Sequence, residues 1–256
     1  MYKVGKNAVI VSIFYLASIQ LVAQSPADTI KNEQGQLVIQ PILHATMALT
    51  WNDFTIYIDP YGGEPSFRNL PQAELVLITD IHGDHMNLET LGDLGLNRAK
   101  ILAPQAVVDQ IKDDFENAQI LNNDEKVEIN GIEITAVPMY NLPETAESRH
   151  PKGRGNGYVL NFEGTRIYIS GDTEDIPEMR ALKDIDIAFV CMNMPYTMEV
   201  ETAADAVLEF KPSIVYPFHF RGKDGLSDVS KFKKLVNKKN KEIEVRLRQW
   251  YPEKDE

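Results

Sequence analysis

Alternating apolar and polar residues predict short strands in the first part of the chain. Between Phe54 and Asp59, apolar residues recur at every second position, which is the period of a half-buried strand. The run at 75–78 is continuously apolar, as in a strand that is covered on both faces. Further strands are predicted at residues 37–39, 45–51, 213–216 and 243–247.

Two dipeptides predict hairpin turns. Asn130-Gly131 separates the apolar-polar runs 127–129 and 132–134, and both residue types tolerate the positive φ that a tight hairpin turn requires. Glu163-Gly164 separates the predicted strands 158–162 and 165–170 in the same way. The chain therefore contains at least these antiparallel pairs.

Helical patterns alternate with the strands. They occur near residues 87–91, 105–115 and 203–210, and another begins at a predicted cap, Ser227, with apolar residues at 229, 232 and 236 on one face. This order favours an α/β protein with a two-sheet core covered by helices. No repeat or linker interrupts it, so we expect one domain from about residue 30 to residue 256.

The first residues have the pattern of a secretory signal peptide. Lys3 and Lys6 precede an uncharged apolar run from Ala8 to Val22, after which the sequence becomes polar. The alternative is a transmembrane anchor. A membrane span needs roughly 20 apolar residues, and the run from Ala8 to Val22 is shorter than that. We expect a signal peptide over residues 1–24, cleavage near residue 24, and a periplasmic or secreted protein that is not attached to a membrane.

Charge and cysteine content narrow the possible partners. The net charge of −12 disfavours nucleic acid, because binding it requires Lys and Arg to neutralise phosphates. Cys191 is the single cysteine, so no intrachain disulfide can form, and its apolar surroundings indicate a buried thiol rather than a ligand or nucleophile. The expected partner is a small-molecule substrate, and the sequence gives no indication of oligomeric state.

The strongest chemical signal follows the apolar run at 75–78. Asp80, His82, Asp84 and His85 are four metal-ligating side chains within six residues. On a loop, side chains at alternate positions 80, 82 and 84 can converge, while the adjacent Asp84 and His85 can turn to a second ion, so the spacing suggests two metals. A surface loop is the alternative interpretation of this segment. Two later segments argue against it, because Asp172 and His219 each also follow a predicted strand, where open sheets place their sites.

These residues resemble the signature of the metallo-β-lactamase superfamily, which is His-x-His-x-Asp-His followed by a later His, an Asp and a final His. The resemblance covers residues 44–222. The branch that it is most similar to includes ascorbate-6-phosphate lactonase, and the matching segments are His44-Ala45, Ile58-Asp59-Pro60-Tyr61, Gly171-Asp172-Thr173 and Pro217-Phe218-His219. The resemblance implies a four-layer αββα sandwich with the site along one edge.

Carried over to this chain, the resemblance implies a dinuclear metal site. It gives Asp84, His85 and His219 to one ion, Asp80 and His82 to the other, and Asp172 to both as a bridge. Zinc is the expected metal, as one ion or two. Asp80 stands where the family has its first histidine, and its oxygen ligand would shift preference towards manganese or iron.

A second departure from the family pattern concerns the third histidine. It is expected after residues 137–140, where this chain has Asn141, a poor metal ligand that we count instead among the substrate-binding residues. His150 has three possible roles: metal ligand, catalytic or substrate-contacting group, or ordinary loop residue. His44 and Asp59 are expected to support the metal ligands, although a structural role for His44 and a turn-forming role for Asp59 fit as well.

The expected chemistry is metal-assisted hydrolysis. A metal ion lowers the pKa of a bound water to roughly 7, which supplies hydroxide at neutral pH. Asp84 and Asp172 would orient it, and His150 or Tyr140 would stabilise the developing oxyanion. A carboxylic ester or lactone is the favoured substrate, followed by a phosphodiester. A β-lactamase and a non-catalytic binding protein are the alternatives, and no motif supports a redox enzyme.

A local cluster of cations suggests the charge of the substrate. Arg149, Lys152 and Arg154 lie within six residues of one another in an otherwise acidic chain. The expected fold would hold this segment over the metals, where its cations would bind a carboxylate or phosphate of the substrate. The alternative is a solvated, mobile loop, since glycines and a proline are frequent here.

Overall fold

A computed structural model describes residues 25–251 of the chain. The signal peptide predicted over residues 1–24 therefore lies outside the described residues. The strands are β1 (Asp28–Lys31), β2 (Gln36–Leu43), β3 (Thr46–Trp51), β4 (Phe54–Ile58), β5 (Leu75–Leu77), β6 (Lys100–Ala103), β7 (Ala118–Ile120), β8 (Lys126–Ile129), β9 (Ile132–Met139), β10 (Gly155–Phe162), β11 (Thr165–Ile169), β12 (Ile187–Cys191), β13 (Ile214–Phe218), β14 (Arg221–Gly222), β15 (Gly225–Leu226) and β16 (Glu244–Val245). The α-helices are α1 (Leu88–Asp93), α2 (Gln105–Ile111), α3 (Pro177–Arg180), α4 (Val200–Phe210) and α5 (Val229–Lys239), and the 3₁₀-helices are Glu64–Phe67 and Leu96–Arg98.

Two seven-stranded sheets form the centre of the fold. The first has the order β1-β2-β3-β4-β5-β6-β7, and the second has the order β16-β13-β12-β11-β10-β9-β8. In the first sheet β1 to β4 pair antiparallel and β4 to β7 pair parallel. In the second, β8 to β11 pair antiparallel, and β11, β12, β13 and β16 pair parallel. The two sheets thus share one plan, although no repeat is visible in the sequence.

Side chains on opposite faces of the first sheet enter different cores. Leu75 and Leu77 belong to the core between the sheets, whereas Val76 and Ile78 pack in a second core that contains Leu91 of α1. The continuous apolar run is thus covered on both faces, as predicted. On the second sheet, the ring of Tyr168 lies 5.9 Å from that of Phe210 in α4. The expected αββα sandwich is confirmed.

Two local expectations can be compared directly with the structure. Ser227 is not the cap of α5: Asp228 is, because its side chain accepts a hydrogen bond from the backbone N–H of Lys231, while the Ser227 hydroxyl donates to the carbonyl of Met192. Cys191 is fully buried at the end of β12, as predicted, and burial raises the pKa of its thiol to about 12. Among residues 25–251, no helix is long and apolar enough to cross a membrane.

Candidate metal centre

The polar side chains of the site follow strands that end at a common edge. Asp59 follows β4, the segment 80–85 follows β5, Asp172 follows β11 and His219 follows β13. Because β4 and β5 run parallel, as do β11 and β13 with β12 between them, their carboxyl ends place these residues side by side. Asp59 and His219 have left-handed φ values of 45° and 43°, a conformation uncommon outside glycine that often marks functional sites.

The first group of candidate ligands joins Asp80, His82 and His150. One ligand atom from each lies within 4.8 Å of the others. Nδ1 of His82 lies 2.5 Å from Oδ2 of Asp80, and Nε2 of His150 lies 3.8 Å from the same oxygen. His150 therefore lies beside Asp80 and His82, in a chain that has Asn141 where the family pattern expects a histidine.

The second group joins His85, Asp172 and His219, and the third joins His44, Asp84 and His219. Nε2 of His219 lies 3.3 Å from Oδ1 of Asp172 and 3.4 Å from Oδ2 of Asp84. Nε2 of His85 lies 3.4 Å from Oδ2 of Asp172. His44 lies at the edge of this group, with its ring 5.4 Å from that of His219.

Asp172 lies between the first and second groups. Its Oδ2 is 3.3 Å from Nε2 of His150 in the first group and 3.4 Å from Nε2 of His85 in the second. The carboxylate is almost completely buried. This position is the one that a bridging ligand needs.

Two of the histidines are held by polar partners behind them. Nδ1 of His85 lies 2.8 Å from Oδ2 of Asp59, and Nδ1 of His150 lies 3.1 Å from Oδ1 of Asn141. Since both partner atoms are acceptors, the neutral form of each ring, which is the form that binds metal, carries its proton on Nδ1 and presents the lone pair of Nε2 to the centre. Asp59 is itself fixed by the backbone N–H and hydroxyl of Thr79.

The charges of the centre favour ionised carboxylates. Burial raises the pKa of Asp172, but the positive charges of His219 and His85 outweigh it and hold the pKa well below its usual range. Burial also raises the pKa of Asp84, and the same two histidines lower it further than burial raises it. Ionised carboxylates are the form that binds metal.

Buried atoms without hydrogen bonds provide a test of whether this set suits a metal. Nε2 of His85, Nε2 of His150 and Oδ1 of Asp172 are buried and form no hydrogen bond with any described residue. Buried polar atoms normally have partners, and leaving one without costs about 1–3 kcal/mol. Imidazole nitrogens and carboxylate oxygens that converge in this way fit zinc and similar divalent ions.

Tyr140 and Asn141, for which catalytic and substrate-binding roles were expected, both have hydrogen-bond partners within the protein. The Tyr140 hydroxyl donates a hydrogen bond to Glu178 at 2.8 Å and accepts one from Nζ of Lys152 at 3.4 Å. The Asn141 side chain is also occupied, because it accepts from His150 and donates to Glu174 and to the backbone carbonyl of Tyr196. Neither side chain has a polar group left for a substrate in this arrangement.

The three predicted substrate-binding cations also differ from one another. Arg154 is paired with Asp80, and Lys152 is paired with Glu178 at 3.0 Å. Both therefore already have carboxylate partners within the protein. Arg149 forms no ion pair within the described chain, and its guanidinium lies 4.5 Å from the ring centroid of Tyr196.

Sequence reasoning missed two features of the centre. The Asn193 side-chain nitrogen lies 3.2 Å from Nε2 of His219. Arg221 lies with its guanidinium 4.2 Å from the ring centroid of Tyr251, whose ring is 4.9 Å from that of His44. The position of Asn193 after the apolar run 187–191 was an available signal, since other site residues also follow strands.

Comparison with known proteins identifies the class. Residues 39–219 match the family model described as the beta-lactamase superfamily domain. A UPF0173 metal-dependent hydrolase of Pyrococcus abyssi is 30% identical over 203 residues, which are 73% of this chain and 87% of that protein. The crystal structure of a metal-dependent hydrolase from Parabacteroides distasonis is 35% identical, with a TM-score of 0.77, and the match covers 89% of this chain and 100% of that one.

A more distant structure shares the fold alone. The metallo-hydrolase Igni18 of Ignicoccus hospitalis is 22% identical with a TM-score of 0.70, covering 82% of this chain and 94% of that one. The chain thus belongs to the metallo-β-lactamase superfamily. Within that superfamily it is a metal-dependent hydrolase.

Proposed function

We propose that this protein hydrolyses a small anionic carboxylic ester or lactone with the help of two metal ions. The observation that carries the proposal is the set of buried nitrogen and oxygen atoms that surround Asp172 without hydrogen bonds. A phosphodiester is the second candidate substrate, because a metal pair can clamp both the attacking and the leaving oxygen of either reaction.

The distances support a revised assignment of ligands. Asp80, His82 and His150 would hold one ion, Asp84, His85 and His219 the other, and Asp172 would contact both. His150 thus supplies the histidine that is absent at Asn141, and Asn141 orients it. Zinc is the proposed metal, and the oxygen of Asp80 makes manganese or iron suitable as well.

Each residue then has a defined task in the reaction. A bound metal acts as a Lewis acid and lowers the pKa of a water molecule. Asp84 has the most exposed carboxylate of the proposed ligands, at 35% exposure, so that its oxygen can orient the attacking water and accept its proton. Asp59 and Asn141 keep His85 and His150 in the tautomer with a free Nε2.

The two unpaired arginines support an anionic substrate. Neither Arg149 nor Arg221 has a carboxylate within ion-pair distance in residues 25–251, and each stacks on a tyrosine. Arg149 precedes His150 of the first group, and Arg221 follows His219 of the second by two residues. A guanidinium placed in this way can bind a carboxylate or phosphate through two parallel hydrogen bonds.

The proposal is tested by measuring metal content and activity on the same preparation. We expect about two metal ions per chain and turnover of chromogenic lactones or esters, with faster turnover when the acyl group carries a carboxylate. The panel also contains a chromogenic phosphodiester and a β-lactam, which test the alternatives. Stoichiometric metal without turnover of any class would favour the non-catalytic binding protein.

We also propose that the mature protein is exported and begins near residue 24. The support is the Lys3 and Lys6 pair before the apolar run. Intact-mass measurement of the protein from its native host is the test. A mass that includes Met1, found in a membrane fraction, would show an anchor instead.

A further inference from the structure

Arg154 donates two hydrogen bonds to the carboxylate of Asp80. Its Nε donates to Oδ1 at 3.2 Å and its Nη2 donates to Oδ2 at 3.1 Å. Asp80 is completely buried, and the Arg154 side chain is 20% exposed. Among the described residues, no other lysine or arginine forms an ion pair with a carboxylate of the three candidate ligand groups.

The backbone beside Arg154 is fixed against the metal-binding segment. The N–H of Asn156 donates to the carbonyl of Thr79 at 2.8 Å, and Nη2 of Arg154 also donates to the carbonyl of Arg149 at 2.6 Å. A Cβ atom at Gly155 would lie 2.9 Å from the carbonyl oxygen of Thr79, so only glycine allows this approach. Arg154 therefore reaches Asp80 from a rigid support.

A need for higher metal affinity does not by itself explain why an arginine lies at this position. A guanidinium this close to a cation site repels the ion and weakens its binding by charge. Asp80, however, contributes a full negative charge to a centre that already contains Asp84 and Asp172. An aspartate paired with arginine is neutral overall, as an imidazole is, while its oxygens retain lone pairs that can bind metal.

We propose that Arg154 is a positioning residue that fixes the orientation of Asp80 and balances its charge, so that the pair acts towards a metal ion as one neutral ligand. This inference rests on the proposed function, because it assumes that an ion binds at Asp80, His82 and His150. It predicts that the residues at positions 80 and 154 can be replaced without loss of metal binding only when both are replaced together.

The variant Arg154→Lys tests the orientation. Lysine keeps the positive charge and its repulsion but loses the two-point contact. We expect metal affinity at this group to fall about 10- to 100-fold, as on loss of other residues that orient ligands. The matched control is Arg246→Lys, because Arg246 makes the same forked contact with Glu244 away from the centre. Unchanged affinity in Arg154→Lys overturns the orienting role.

A double-mutant cycle tests the charge balance. Asp80→His alone leaves the charge of Arg154 without a partner beside a neutral imidazole and should lose the ion of this group. Asp80→His combined with Arg154→Gln should regain it, because the replacement pair is again neutral. Metal ions per chain after dialysis, with chelator competition for affinity, are the measurements. If Arg154→Gln lowers metal retention equally beside Asp80 and His at position 80, Arg154 merely anchors the loop and the proposal is wrong.

The metal content of the wild-type protein and of Asp80→Ala distinguishes a failure of this proposal from a failure of the proposed function. Two ions per chain in the wild type, one of them lost in Asp80→Ala, would support the metal centre whatever the Arg154 variants show. One ion per chain, unaffected by Asp80→Ala, would overturn both the dinuclear assignment and the role of Arg154. Thermal unfolding of each variant identifies any that fail to fold.

Discussion

The side-chain oxygen of Asn141 lies 3.1 Å from Nδ1 of His150 and also accepts the backbone N–H of that histidine at 2.8 Å. Asn141 thus determines both the position of the backbone and the tautomer of the ring. Asp59 does the same for the ring of His85, from a distance of 2.8 Å. The two halves of the centre each contain one histidine with its own acceptor behind it.

Asn141 variants should separate this orienting role from a role in folding. Asn141→Leu removes the acceptor for His150, and we expect metal affinity to fall about 10- to 100-fold. Asn141→Asp keeps the acceptor but loses the donor to the carbonyl of Tyr196 and to Glu174, so it should lower the unfolding temperature while retaining metal. Chelator competition and thermal unfolding measure the two effects. Equal metal loss in both variants would contradict the orienting role.

His85→Ala should lose metal and activity together. His85 is buried between Asp59 and Asp172, and its free Nε2 faces the centre. Bound metal stabilises the folded state by about 2.7 kcal/mol at a free concentration 100 times the Kd. The variant should therefore unfold at a lower temperature with metal than the wild type does, and chelator should lower its unfolding temperature less than that of the wild type, because only the ion at Asp80, His82 and His150 remains to be removed. Undiminished turnover by folded His85→Ala would exclude the metal mechanism.

Tyr140→Phe should retain activity. Burial and the hydrogen bond with Glu178 raise the pKa of Tyr140, and the hydroxyl is engaged by this partner rather than by a reacting group. Loss of one such hydrogen bond costs roughly 1 kcal/mol of stability. We expect kcat within about twofold of the wild type, a change of less than 1 kcal/mol in the barrier. A fall of about 100-fold or more with an unchanged fold would restore the catalytic role that the sequence indicated.

Arg149→Gln should raise KM for anionic substrates and leave neutral substrates almost unchanged. The guanidinium of Arg149 has no carboxylate partner in the described chain, so it is available to a substrate. Lys152→Gln is the matched control, because Lys152 is already paired with Glu178. Added salt should weaken the wild-type preference for anions, since exposed charges are screened. Equal effects of the two substitutions would leave Arg149 as an ordinary surface residue.

Much of the fold was predictable because each local pattern has one physical cause. The hairpin at Asn130-Gly131 follows from turn geometry. The strand that begins at Leu75 follows from the burial of both of its faces. Strands β1, β6, β7, β12, β14 and β15 were not predicted, although the apolar run of β12 is visible in the sequence. They are short, and β1 is only partly buried, so their sequences carry little periodicity.

The centre was predictable where its residues follow strands and unpredictable where antiparallel pairing brings them together. Asp80, His82, Asp84 and His85 lie within six residues, and Asp172 and His219 each follow a strand. His150 is far from them along the chain, and it reaches Asp80 because β9 and β10 pair antiparallel from Met139 and Gly155. No spacing rule in the sequence indicates that Arg154 pairs with Asp80.

The shared plan of the two sheets has a consequence for how the chain could be divided. One sheet carries the segment 80–85, while the other carries His150, Asp172 and His219. The ions would therefore link the part of the chain before the connection between β7 and β8 to the part after it. If that connection were cut, the two fragments would each keep a complete sheet but only part of the ligand set. Association of the two separately expressed fragments should then depend on the concentration of free metal. The metal centre of the enzyme would thus also act as a reversible link between the fragments.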